Sequence, residues 1–148
     1  MQRKIPGEPF QILLVEDNPG DIRLIMEVMK EAKISNRICV IRDGEEAVNY
    51  LRIQSALVYG TLPDLILLDW NLPKKSGYEV LQEIKEDIVL RHIPVIILTS
   101  SQTEEDIYNA YHMHANCYIS KPLELDQFIR MVKAIEEFWM TAVKLPRR

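Results

Sequence analysis

Short apolar runs alternate with amphipathic stretches along this 148-residue chain. Residues 11–15, 38–41, 65–68, 95–98 and 116–119 are compact apolar segments bounded by turn residues, the pattern of strands buried on both faces. Between them the apolar positions change to a helical period. Ile22, Ile25, Met26 and Met29 recur at that spacing up to Lys33, behind a Pro19 suited to a first helical turn. Ala47, Val48 and Leu51 carry a second helix over 45–54, after the break at Asp43-Gly44, and Val80, Leu81 and Ile84 a third over 78–85. Thr103 is placed as the N-cap of a fourth helix, with Glu104, Glu105 and Asp106 in its first turn. Leu125, Phe128, Ile129, Val132, Ile135, Phe138 and Trp139 predict a long fifth helix that ends before Leu145-Pro146. Strand and helix alternating in this way predict an α/β fold, a doubly wound five-stranded parallel sheet with helices on both faces. The expected organisation is a polar tail over 1–10, one domain over 11–140 and a short tail over 141–148.

In a parallel sheet of this kind the strands end on one edge, and ligands sit outside their carboxyl ends. The residues that follow the runs are therefore the candidates for chemistry: Glu16 and Asp17 after the first, Asp69 after the third, Thr99 after the fourth and Lys121 after the fifth. Three carboxylates, a hydroxyl and an ammonium are a set suited to holding a hard cation and a phosphoryl group together. Each has an ordinary reading by itself. Asp17 can cap a helix, Thr99 is a good strand residue, and a lone Lys is usually solvated. The conjunction is what points to a site.

Composition narrows the class. With 47% apolar and 27% charged residues the chain suits a single globular domain with a real core. A formal net charge of −4 argues against a sequence-independent grip on nucleic acid, so no direct nucleic-acid partner is expected. Cys39 and Cys117 fall inside apolar runs, which indicates buried thiols of a reducing compartment rather than a disulfide framework. No signal-peptide pattern and no run of membrane-spanning length occurs, so a cytoplasmic location without membrane contact is expected. His112 and His114 lie two residues apart, a spacing that points them in different directions on a helix and disfavours a zinc site. Trp70 either gates access to Asp69 or flanks the crevice, and Lys74-Lys75 reads as solvated surface.

From about Gln11 to the final helix the chain resembles the receiver domain of two-component response regulators. The resemblance is carried by Leu14-Val15-Glu16-Asp17-Asn18, by Leu68-Asp69-Trp70-Asn71-Leu72-Pro73 with Gly77, by Leu98-Thr99-Ser100 and by Tyr118-Ile119-Ser120-Lys121-Pro122. It implies a flavodoxin-like sheet of strand order 2-1-3-4-5. It further implies that Asp69 accepts a phosphoryl group from a sensor histidine kinase, and that Mg²⁺ is bound by Asp17, Asp69 and the main-chain carbonyl of Asn71, with Glu16 acting largely through water. Lys121 and Thr99 are implied to hold the product oxygens, Thr99 and Tyr118 to act as the switch, Asn71 and Ser101 to tune phosphoryl lifetime, and the Lys121-Pro122 bond to be cis. The loop around Tyr59, the Cys117-Tyr118 pair and the Phe138-Trp139 ending are similar to the small cyanobacterial response regulators that serve phytochrome-type kinases.

Output is expected by contact with a downstream protein or phosphotransfer protein, since nothing after the last helix resembles an output domain. Phe138 and Trp139 are either core residues or, if exposed, an interface favouring a homodimer through that helix. Two other functions share the pattern. An aspartate-nucleophile phosphatase would use the same sheet, Mg²⁺, Thr and Lys, but many carry an acid two residues after the nucleophile, and Asn71 there cannot transfer a proton. A receiver-like adaptor that never takes phosphate would usually have lost an acid or the Lys, and neither is lost.

Overall fold

The computed structural model describes residues 8–146; the first seven residues of the expected N-terminal tail, and Arg147 and Arg148 of the C-terminal one, lie outside the described residues. Strands β1 (Phe10–Val15), β2 (Asn36–Ile41), β3 (Leu65–Leu68), β4 (Val95–Thr99) and β5 (Cys117–Ser120) form one sheet in the order β2-β1-β3-β4-β5. Every pairing is parallel. Helices α1 (Pro19–Lys30), α2 (Gly44–Ala56), α3 (Gly77–Glu86), α4 (Glu104–His112) and α5 (Leu125–Glu137) connect the strands. This is the doubly wound sheet, with its strand order, that the sequence predicts.

Successive residues of a strand point to opposite faces, so each strand feeds two cores. Leu13, Val15, Ile66, Leu68, Val95 and Ile97 pack under α2, α3 and α4 through Leu51, Leu81, Ile84 and Ala110. Ile12, Leu14, Leu65, Leu67, Ile96 and Leu98 pack under α1 and α5 through Ile25, Met29, Phe128 and Val132. β3 is buried along its whole length. No side chain there could be solvated without breaking one of the two cores.

The helix starts follow local chemistry. Asn18 caps α1 by accepting from the Asp21 N–H, Asp43 caps α2, and Thr103 caps α4 in front of three acids. Ser76 and Glu79 form a reciprocal capping box at the start of α3. Several boundaries differ from those read in the sequence. α1 stops at Lys30 rather than Lys33, because the Asn36 side-chain amide donates to the Met29 carbonyl at 2.9 Å and draws the chain into β2, which begins two residues early. α5 ends at Glu137 and passes into a wider π turn over Phe138–Ala142, where the Thr141 hydroxyl donates to the Glu137 carbonyl. No cis peptide bond occurs among the described residues, so Lys121-Pro122 is trans, contrary to the expectation. No helix among them is long and apolar enough to cross a membrane.

Candidate functional site

Strand register brings the candidate residues to one edge. Val15 pairs with Leu68, which sets Glu16 level with Asp69, and the Asp69 N–H donates to the Val15 carbonyl at 3.0 Å. Leu68 pairs with Ile97 and Thr99 with Ser120, so Thr99 lies just beyond the end of β3 and Lys121 just beyond the end of β5. The Lys121 N–H donates to the Thr99 carbonyl at 2.8 Å.

The acids are held by their own turns. Glu16 Oε2 accepts from the main-chain N–H groups of Asp17 and Asn18 at 3.1 and 3.2 Å, which turns this carboxylate inward until only 1% of the residue is exposed. Asp69 Oδ1 accepts from the N–H groups of Trp70 and Asn71 at 2.7 and 3.4 Å. Asp17 remains exposed. Glu16, Asp17 and Asp69 each offer one carboxylate oxygen, all within 4.8 Å of one another. Three hard anionic donors so close together repel unless a positive charge lies among them, and their chemistry fits one divalent cation.

Lys121 supplies a positive charge within the protein. Its ammonium is hydrogen-bonded to Glu16 Oε1 and lies 2.9 Å from Asp21 Oδ2 and 3.4 Å from Asp69 Oδ2. Burial alone would pull the ammonium's pKa down, but the hydrogen bonds to Glu16 and Asp21 and the charge of Asp69 outweigh it and raise it above the usual lysine value. Burial pushes the Glu16 carboxyl up to about 7, with Lys121 opposing and Asp69 adding to the rise. Asp21 is the member of this group that the apolar pattern does not single out. Its signal was its place at the third position of α1, three residues after the Asn18 cap, where a short acid faces back over the strand ends.

Thr99 is fully buried, and its Oγ1 lies 3.5 Å from the Ser101 N–H. Tyr118 is half-buried and turned toward the same loop, its hydroxyl donating to the Ser101 carbonyl at 2.8 Å while the Ser101 hydroxyl donates to Asp106. Trp70, 6% exposed, is a core residue rather than a lid; its ring meets Tyr78 at 5.8 Å and Tyr118 at 6.4 Å, both edge to face. Gly77 closes the Asp69 loop from below, and a Cβ there would sit 2.3 Å from the Asp69 carbonyl oxygen. Phe138 and Trp139 lie away from this edge: Phe138 is 58% exposed, Trp139 is half-buried against the α1–α5 core, and the two rings meet edge to face. His112 stacks on Tyr108. Both cysteines are free thiols.

Comparison with known proteins agrees with this geometry. The chain is 46% identical over 138 residues to response regulator Rcp1 of Synechocystis sp., covering 93% of this chain and 94% of that one. It is 43% identical over 133 residues to FilR2, a probable methanogenesis regulatory protein of Methanothrix harundinacea, covering 90% and 85%. Among solved structures it superimposes on the phosphorylated cyanobacterial phytochrome response regulator RcpA with a TM-score of 0.88 at 48% identity, covering 94% of this chain and 99% of the other. The Mn²⁺-bound form of Rcp1 superimposes equally well, at 46% identity over 93% and 99% of the two chains. The response regulator receiver domain matches residues 12–133, and with these relatives that match places the chain in the response regulator receiver family.

Proposed function

We propose that this receiver takes a phosphoryl group on Asp69 from a phosphohistidine of a sensor histidine kinase, in a Mg²⁺-dependent reaction in the cytoplasm. The observation that carries the reading is the acceptor's setting: Asp69 stands 8% exposed at a strand end, one oxygen tied to two main-chain N–H groups and the other facing the Lys121 ammonium. An Asp69 oxygen bonds to phosphorus as the phosphorus–nitrogen bond breaks, and the imidazole leaves with the electron pair and takes up a proton. Asp17, Asp69 and the main-chain carbonyl of Asn71 would hold the cation, with Glu16 behind them. A bound divalent cation screens the repulsion between incoming phosphoryl oxygens and these carboxylates. Lys121 donates to one phosphoryl oxygen and Thr99 to another. The same groups favour loss of the phosphoryl group to water, so the chain catalyses both its own modification and its reversal.

Thr99 and Tyr118 form the switch in this reading. A phosphoryl oxygen that accepts from the Thr99 hydroxyl would draw its Oγ1 away from the Ser101 N–H, and the Ser101 carbonyl anchors the Tyr118 hydroxyl. Movement at Thr99 is thereby felt at the surface of β5 and α4. The likeness to RcpA supports a phytochrome-type kinase as the source of the signal, and readout falls to a downstream protein or phosphotransfer protein. The exposed Phe138 beside Trp139 is the surface through which we place a homodimer. The test is phosphorylation by purified kinases: the reading expects transfer from a phytochrome-type kinase to the wild type and none to Asp69→Asn. Transfer only from kinases of another sensory class would reject the phytochrome assignment and keep the acceptor.

A further inference from the structure

Phosphoryl transfer needs the Lys121 ammonium to change partners, and its contacts say which partner can stay. An ammonium has three N–H donors and no acceptor. Here they face Glu16, Asp69 and Asp21. Glu16 and Asp69 belong to the set that gathers a cation, and Asp69 is the proposed acceptor. Asp21 belongs to neither role. Its main-chain N–H is fixed by the Asn18 cap at 3.1 Å, so α1 holds the carboxylate at the rim of the crevice, with 22% of the side chain exposed against 7% for Lys121. A nearly buried ammonium that loses its carboxylates during the reaction is costly to leave unpaired.

We propose that Asp21 is a positioning residue for phosphoryl transfer: it holds the Lys121 ammonium at the mouth of the crevice, so that Lys121 leaves Glu16 and Asp69 for a phosphoryl oxygen without losing its last anion. The inference rests on Asp69 as acceptor. Asp21 forms no bond to phosphorus. With acetyl phosphate as donor, the Asp69 oxygen–phosphorus bond forms as the phosphorus–oxygen bond to acetate breaks, and acetate departs with the electron pair.

The test follows phosphorylation by intact mass at saturating Mg²⁺ over a range of acetyl phosphate concentrations, for wild type, Asp21→Asn and Asp21→Glu. Asp21→Asn is expected to lower the maximal rate constant about three- to tenfold without lowering the donor half-saturation, and Asp21→Glu to restore most of it. A through-space charge effect predicts the opposite split: an unchanged maximal rate, with the anionic donor half-saturating at lower concentration once a negative charge is removed. That result overturns the proposal, as does no effect at all. In chelator, urea unfolding of Asp21→Asn, Lys121→Met and the double variant should be non-additive; additivity also overturns it. A wild type that gains no phosphoryl group refutes the acceptor assignment and the inference together, whereas a wild type that gains it beside an unaffected Asp21→Asn refutes the inference alone.

Discussion

Glu16 shows how one buried side chain ties stability to ligand binding. Its carboxyl is pushed up to about 7 from 4.5, chiefly by burial, so the folded state binds that proton more tightly than the unfolded state does. Between those two values the folded chain carries more protons at this group, and stability falls as pH rises. Lys121 stays charged in both states over the same window and adds no slope. Urea unfolding in chelator should show the decline from pH 5 to 7, and Mg²⁺ should flatten it by binding the ionised form. A backbone constraint acts on Asp69 from the other side. Gly77→Ala would place a methyl against the Asp69 carbonyl and Trp70 Cα, at 2.3 and 2.7 Å. It is expected to cost about 1–3 kcal/mol in urea unfolding and to slow phosphorylation by displacing the acceptor loop. The strand-end residues Glu16, Asp17, Asp69, Thr99 and Lys121 were legible because each interrupts an apolar run. Asp21 was not, because a polar residue in the first turn of a helix looks like any other cap-side acid.

At the scale of elements, what was legible follows from how local the determining forces are. Strands buried on both faces announce themselves as apolar runs, and Thr103 with its three acids marks the start of α4 in four consecutive residues. Boundaries set by distant partners were not legible. The end of α1 depends on an amide seven residues away, and the start of β2 depends on Phe10 of β1 pairing with Asn36. The π turn after α5 has apolar spacing close enough to helical that Phe138 and Trp139 read as its continuation. Capping offers a quantitative check. Asn18→Ala removes the acceptor for the Asp21 N–H and is expected to destabilise the fold by about 1 kcal/mol, read from the urea midpoint at unchanged slope.

For the whole molecule, the sheet collects residues from four strand ends on one edge, and α4, β5 and α5 flank that edge. Phe138, 58% exposed, borders a groove of about 330 Å³ lined by Cys117, Ile119, Met131, Ile135 and Trp139. If self-association uses it, sedimentation velocity should show a wild-type dimer whose dissociation constant rises at least about tenfold in Phe138→Asp. A wild type that stays monomeric at high concentration would remove the dimer from the account. The central claim, that Asp69 is the phosphoryl acceptor, is tested most directly by intact mass after incubation with Mg²⁺ and acetyl phosphate. The wild type should gain the mass of one phosphoryl group and Asp69→Asn none. A folded, cation-binding wild type that gains nothing, or an Asp69→Asn variant that gains as much as the wild type, would contradict it.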